Sequence, residues 1–220
     1  MCGRFVLYSS LDEIVRAFDV QSVRAQWHPR YNIAPGQQVL AVRREGDIKV
    51  LDQMKWGLIP HWAQERPPGE GIINARAETL HQKPSFRRPF ATQRCLVVAD
   101  GFYEWRKSNR ERIPFFFCLK RRPFGFAGIY DIWQSPEGEV LHTCSIITTN
   151  ANELIRPLHD RMPVILSKEA EARWLDPRTP LMELIGLVQT SLVEDMEGYE
   201  VSKRVNSFTY DAPECILPSS

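Results

Sequence analysis

The second residue of the chain is a cysteine, in the opening run MCGRF. Initiator methionine is removed when the next side chain is small, so the mature chain is expected to begin at Cys2, with an α-amine and a thiol on neighbouring carbons. That 1,2-aminothiol can do what no internal cysteine can. Its amine condenses with an aldehyde to a Schiff base, and its thiol then closes a thiazolidine ring. The same letters also fit a small residue at a frayed terminus. Further along, Asn74 follows two β-branched residues in GIINARAET, so its amide leaves a buried run still needing partners. Glu104 is flanked by Phe102, Tyr103 and Trp105 in DGFYEW, where lost hydration raises a carboxyl pKa and suits it to proton transfer. His159 sits between Pro157 and Pro163 in PLHDRMP, beside Asp160 and Arg161. Each polar residue taken singly also fits a satisfied structural group, and a Cys/His pair also suits a thiol peptidase. Together they supply the nucleophile, orienter, acid and base that capture of an aldehyde requires. No phosphate-binding glycine loop, HExxH or GxSxG competes with them.

The elements that must position these residues are mostly strands. VLAVRR, IKVLDQMKWGLI, RCLVVADGFYEW, IPFFFCLK, FGFAGIYDIW and LHTCSIITT are short β-rich runs parted by Gly, Pro, Asp or charged turns. Ser10 with Glu13 forms a capping-box pattern ahead of Leu11, Ile14, Val15 and Phe18, which predicts a short amphipathic helix after an N-terminal strand. Cys2 would then be tied down by that strand. Asn150 with Glu153 predicts a short helix that Pro157 ends. Ser167 opens another over KEAEARWL, and LMELIGLVQT is a third. The sum is one α+β domain over residues 1–220, mainly antiparallel, with a barrel-like core and a few short peripheral helices, not a doubly wound sheet. The Pro- and Gly-rich HWAQERPPGEG reads as a long exposed loop, a place for function.

The 220 residues are 43% hydrophobic and 25% charged, with a net charge of +1. That balance excludes a globally basic nucleic-acid binder but allows a local positive groove. Arg43-Arg44, Arg87-Arg88 and Arg121-Arg122 read as solvated surface. No apolar run reaches membrane length and no signal peptide begins the chain, so a cytoplasmic protein is expected. The five cysteines (2, 95, 118, 144 and 215) form no CxxC pair, which argues against zinc or redox motifs and for free thiols. Cys95, Cys118 and Cys144 lie in strand-like runs and are expected in the core, with Cys215 undecided. Nothing points to an oligomer, and a monomer is the default.

MCGRF, YNIAPGQQV, KWGLIP, INARAET, DGFYEW, PLHDRMPVIL and VSKRVN follow one another along nearly the whole chain. In that order they resemble the SOS response-associated peptidase family. The resemblance implies recognition of abasic sites in single-stranded DNA and a covalent thiazolidine crosslink through Cys2, with Met1 removed. It implies that Asn74 positions the terminal amine, Glu104 assists sugar ring opening, and His159 serves the Schiff-base steps, including lyase chemistry or reversal. Arg76 and Arg161 would hold phosphates, with Arg4 helping, and an autoproteolytic role is implied by the family's name. No metal or other cofactor is needed, and the protein would join the nucleoid when bound to DNA. Trp62 is the leading candidate for a base wedge and Trp56 the next, although Trp56 equally fits the core. Pro35, Gln37 and Gln38 could line the groove. Two other readings stay open: a cysteine peptidase using Cys2 with His159, and a non-catalytic reader of modified DNA. If about three phosphates are neutralised, the logarithm of single-strand affinity should fall against the logarithm of salt concentration with a slope near −2. A fluorescence-anisotropy titration across salt checks this, and a slope near zero would remove the arginine assignment.

Overall fold

The structure is a computed structural model that describes residues 2–108, 111–189 and 195–219. Its strands are β1 (Phe5–Leu7), β2 (Ser22–Val23), β3 (Arg30–Ile33), β4 (Gln38–Glu45), β5 (Ile48–Trp56), β6 (Asn74–Arg76), β7 (Arg94–Ala99), β8 (Gly101–Ser108), β9 (Glu111–Leu119), β10 (Phe124–Gln134), β11 (Val140–Asn150), β12 (Arg161–Pro163) and β13 (Met196–Glu200). The helices are α1 (Leu11–Phe18), α2 (Pro84–Thr92), α3 (Lys168–Leu175) and α4 (Leu181–Gln189). One sheet runs β13-β9-β8-β1-β3, and the other runs β12-β11-β10-β7-β4-β5-β2. Within the second, β5 returns to pair in parallel with β11, Thr143 opposite Lys55 and Cys144 opposite Trp56, so five strands close into a barrel. The α+β, mainly antiparallel, barrel-like architecture expected from the sequence is the one observed.

The core is aromatic where the two sheets meet. Phe126 of β10 makes edge contacts with Phe5 of β1 at 5.8 Å, Phe102 of β8 at 6.0 Å and Phe124 at 5.5 Å between ring centroids. These rings are fully buried, so the barrel and the N-terminal strand share one hydrophobic interior. Trp56 belongs to it too: its ring lies 5.2 Å from Phe5 and is fully buried. Cys95, Cys118 and Cys144 are buried as expected, and Cys215 is buried in a smaller cluster with Tyr103, Phe116 and Val205.

Local chemistry explains the boundaries. The Ser10–Glu13 capping box is present, and α1 ends at Asp19 in a left-handed conformation. The run RCLVVADGFYEW is broken at Asp100 into β7 and β8, which enter different sheets. Asp100 is fully buried and accepts bonds from the Tyr8 and Ser9 amides at 2.6 and 2.7 Å, which fixes the exit of β1. The helix expected from Asn150 is a series of turns instead. Asn150 ends β11, paired with Arg161, so it cannot cap a helix, and Asn152 takes the local role by accepting from the Ile155 amide at 3.0 Å. Helix α2 lies outside the helices expected from the sequence, and two of its residues are proline. Pro84 sits in the first turn, where no donor is needed, while Pro89 is tolerated inside a helix whose Phe86, Pro89 and Phe90 are buried.

The 61–71 loop folds back onto β5 because two glycines let backbones meet. A Cβ on Gly57 (φ +141°) would lie 1.7 Å from the Glu70 carbonyl oxygen, and one on Gly71 (φ +90°) would lie 2.7 Å from that of Gly57. Replacing Phe126 by alanine should cost about 3–5 kcal/mol, because it empties the junction of the two sheets. Urea denaturation followed by far-UV circular dichroism measures this.

Candidate functional site

The site is assembled around the N-terminal segment. β1 is antiparallel to β8, with Phe5 opposite Phe102 and Val6 opposite Gly101. The pairing continues toward the terminus, where the Tyr103 amide donates to the Arg4 carbonyl at 3.0 Å. Carried one step further, this register sets Glu104 opposite Gly3, which has no side chain to crowd it. Cys2 is fully buried, and the Asn74 amide nitrogen Nδ2 donates to its carbonyl at 2.9 Å.

Asn74 is delivered by backbone bonds on either side. Leu58 and Ile72 exchange amide–carbonyl bonds at 3.0 Å, and the Ile73 carbonyl accepts from Trp56 Nε1 at 2.9 Å and from the Ile146 amide at 3.1 Å. β6 then runs parallel to β11, Asn74 opposite Ile146 and Arg76 opposite Thr148. The Asn74 Oδ1 atom is buried with no partner among the described residues, so the amide still has one acceptor to offer.

Glu104 is 3% exposed. Burial pushes its carboxyl above the usual carboxylate range, with the charge of His159 pulling the other way. Burial also pushes the Cys2 thiol far up, and the Glu104 charge adds to that. The His159 ring is half-buried, and its Nδ1 accepts from the Arg161 amide at 2.9 Å, which places the proton of the neutral ring on Nε2. Asp160 Oδ1 lies 2.8 Å from the same Nδ1. Cys2, Asn74, Glu104 and His159, remote in sequence, are thus linked by one hydrogen bond and by mutual electrostatics.

The expected DNA contacts divide into two groups. Trp62 is 57% exposed near the start of its loop, Arg76 is exposed on the strand of Asn74, Gln38 is exposed, and Pro35 is half-buried in the turn before it. Arg4 and Arg161 are instead engaged inside the protein. Arg161 is 7% exposed, forks onto Glu78 at 2.6 and 2.9 Å, and donates to Asn150 Oδ1 and the Thr148 carbonyl. A phosphate contact by Arg161 would have to break this pair. Arg4 donates to Asn32 Oδ1 at 2.6 Å and the Val205 carbonyl at 3.0 Å, beneath the Trp105 ring. Trp56 is core and presents no ring to a base.

Sequence reasoning missed the residues that hold these in place. Asn32, fully buried, accepts from Arg4 and donates to the carbonyls of Ser207 and Tyr210, tying YNIAP to the segment after VSKRVN. Glu78 carries a readable signal, being the acid in NARAET, but its partner lies far along the chain. Asp131, 1% exposed, accepts from the His61 amide at 2.9 Å, and Trp133 Nε1 donates to the Ala63 carbonyl at 2.7 Å, so β10 grips both sides of Trp62. Among the described residues no group of His, Cys, Asp and Glu could hold a metal ion, and no helix is long and apolar enough to cross a membrane.

The model of the family described as SOS response associated peptidase (SRAP) matches residues 1–208. The chain is 46% identical over 221 residues to Abasic site processing protein YoqW of Bacillus subtilis (strain 168), covering 98% of this chain and 99% of that one. It is 34% identical to Abasic site processing protein HMCES of Gallus gallus, covering 99% of this chain and 78% of that one. A crystal structure of a protein from Bacteroides thetaiotaomicron superposes with a TM-score of 0.90 over 100% of both chains, at 28% identity.

The Arg161–Glu78 pair makes a pH prediction. Arg161 holds the Glu78 carboxyl below its usual range, so the stability it adds is present above the unfolded value of about 4.3 and is lost as pH falls through the lowered folded value. Glu78→Gln should remove that part of the acid dependence and lower stability chiefly at neutral pH. Urea midpoints at pH 7 and at acid pH for both proteins measure it, and parallel pH profiles would show that the pair contributes nothing.

Proposed function

The chain belongs to the SOS response associated peptidase family, and on that premise we propose that it processes abasic sites in single-stranded DNA by capturing the sugar aldehyde covalently at Cys2. Relatives named for abasic site processing support the substrate. The observation that carries the chemistry is the Asn74 amide bonded to the Cys2 carbonyl beside a buried carboxyl whose pKa is raised.

An abasic sugar is mostly a closed hemiacetal. Opening it moves a proton to the ring oxygen and takes one from the C1′ hydroxyl, a task suited to Glu104, whose carboxyl pKa burial raises. Removal of Met1 leaves the Cys2 amine as the chain terminus, with a usual pKa of about 7.7 to 8.0 and so a useful neutral fraction. The amine nitrogen bonds to C1′, and the resulting carbinolamine loses hydroxide as water with a proton from Glu104 or the His159 ring. The thiol sulfur then adds to C1′, and its proton passes to the nitrogen. Two bonds form to C1′ and one water leaves. Asn74 holds the Cys2 carbonyl, which fixes the amine's approach. An imine alone would hydrolyse or eliminate the 3′ phosphate, and ring closure protects against both.

The raised thiol favours this order over a peptidase. A thiol peptidase needs a thiolate, and burial beside Glu104 opposes one, whereas amine-first capture needs no thiolate until the imine is in place. Trp62, Pro35 and Gln38 offer surfaces for bases and sugar, and Arg76 offers the exposed cation beside the site.

Denaturing intact-mass spectrometry with a single-stranded oligonucleotide carrying one abasic site tests the proposal. The expected species is protein lacking Met1 plus oligonucleotide minus one water, stable to heat. Cys2→Ser should give only a hydrolysable imine, and Glu104→Gln should slow adduct formation by about 10²-fold or more. A mature N-terminus with no adduct would discard covalent capture.

A further inference from the structure

The 61–71 loop and its two ends enclose a cavity of about 420 Å³ that the chemistry at Cys2 leaves unused. That is the size of a small-molecule site. Its apolar wall is built by Leu58, Pro60 and Ile72 at the ends of the loop and by Trp62, Pro67 and Pro68 within it. Three of these six are prolines, whose fixed φ leaves the wall little freedom to change shape. Trp62 is exposed yet held in place. The His61 amide before it donates to Asp131 at 2.9 Å, the Ala63 carbonyl after it accepts from Trp133 Nε1 at 2.7 Å, and the Ala63 amide closes a turn on the Pro60 carbonyl at 2.9 Å. An indole anchored on both sides of its backbone offers a fixed stacking surface.

The polar part of the wall is anionic. It comprises the carboxylates of Glu65 and Glu70 and the hydroxyl of Ser85, in the first turn of α2. Among the described residues no lysine or arginine lines the cavity, and Arg66, between the two acids in the chain, is not part of the wall. Both carboxylates are exposed, and neither is hydrogen-bonded or ion-paired to a described residue. Glu70 is braced from behind: a Cβ on Gly36 would lie 3.1 Å from its Cγ, so its stem rests on the turn that carries Pro35. An anionic wall repels a phosphodiester, so the part of a nucleotide that can enter is its base. The place is right for one. Ile72 precedes Asn74 by two residues, about 7 Å of extended chain, and Asn74 holds Cys2.

We propose that this cavity is a subsite for one unstacked nucleobase next to the abasic nucleotide, and that its carboxylates make guanine the preferred occupant. The inference rests on the single-strand reading above and adds a base preference to it. Guanine presents N1–H and N2–H side by side, a pair of donors that matches the two oxygens of one carboxylate. The other bases lack that pair. Adenine and cytosine each set one amino group beside a ring-nitrogen lone pair that a carboxylate repels, and the N3–H of thymine lies between two carbonyl oxygens. Ser85 supplies a hydroxyl that can donate to O6 of the same guanine edge. Trp62 and the prolines cover the faces of the ring, as single-strand sites do for any base, so selectivity falls to the carboxylates.

The experiment reads affinity without the crosslinking chemistry. Fluorescence anisotropy follows binding of an otherwise all-thymine strand with one tetrahydrofuran abasic analogue, which has no aldehyde, and with adenine, cytosine or guanine placed in turn at each flanking position. Guanine at one flank is expected to bind about fivefold or more tighter than the other three bases. Inosine, which lacks the N2 amino group, should lose most of that advantage, whereas 7-deazaguanine, which keeps the whole edge, should retain it. The inosine comparison needs wild type alone. A Glu65→Ala, Glu70→Ala double variant, checked for folding by thermal melting, should lose the guanine advantage while binding the other strands as well as wild type or better, because two repulsive charges are gone. Equal affinity for all bases, or a shared preference for adenine and guanine, would overturn the subsite and leave Trp62 a plain stacking surface. A guanine preference that survives in the folded double variant would overturn the carboxylate assignment and the proposal with it. Wild type that binds none of the strands would overturn both the subsite and the single-strand reading, whereas guanine-selective binding without adduct in the mass experiment would overturn covalent capture and leave the subsite standing.

Discussion

Everything at the site depends on burying the beginning of the chain. A terminus is ordinarily the least ordered part of a domain, because few contacts repay the entropy of fixing it. Here β1 is an inner strand, between β8 and β3, and Phe5 is inserted between Trp56 and Phe126. The strand leaves Cys2 no exposed surface and places its carbonyl on the Asn74 amide. A thiol beside the chain start has thereby become as fixed as one in the middle of a sheet. The other segments that carry the family resemblance can be understood as consequences. KWGLIP supplies the tryptophan under Phe5 and the carbonyl ladder that leads to Asn74. YNIAP and VSKRVN meet through Asn32 and the Val205 carbonyl, both of which hold Arg4.

Burial also sets the electrostatics. Removing Glu104 and Cys2 from water favours the protonated form of both, and the Glu104 charge pushes the thiol in the same direction. The arginines show the complementary economy: Arg4 and Arg161 are used up in holding strands and turns, while Arg76 stays outside. Arg161 does more than pair with Glu78. Its backbone amide fixes the His159 ring, and its side chain holds the Thr148 carbonyl at the end of β11, so one residue orients both the histidine turn and the edge of the strand beside β6. A charged residue next to a reactive centre need not touch the substrate to matter to it.

Much of this was legible in the sequence because it is local. The capping box of α1, the Ser167 cap of α3 and the alternating runs of the barrel depend on residues a few positions apart, and they appear where the pattern puts them. The polar residues standing in apolar runs, Asn74 and Glu104, were legible for the same reason, since an unexpected amide or acid in a strand needs an explanation. What stayed hidden was partnership. The sequence shows that Arg161 is charged but not that Glu78 faces it, and Asp100 in ADGFYEW looks like a turn residue until the Tyr8 and Ser9 amides are seen on it. The helix expected between Asn150 and Pro157 fails at its start, because β11 claims Asn150, while α2 forms around two prolines because its buried aromatic face outweighs the missing bond at Pro89.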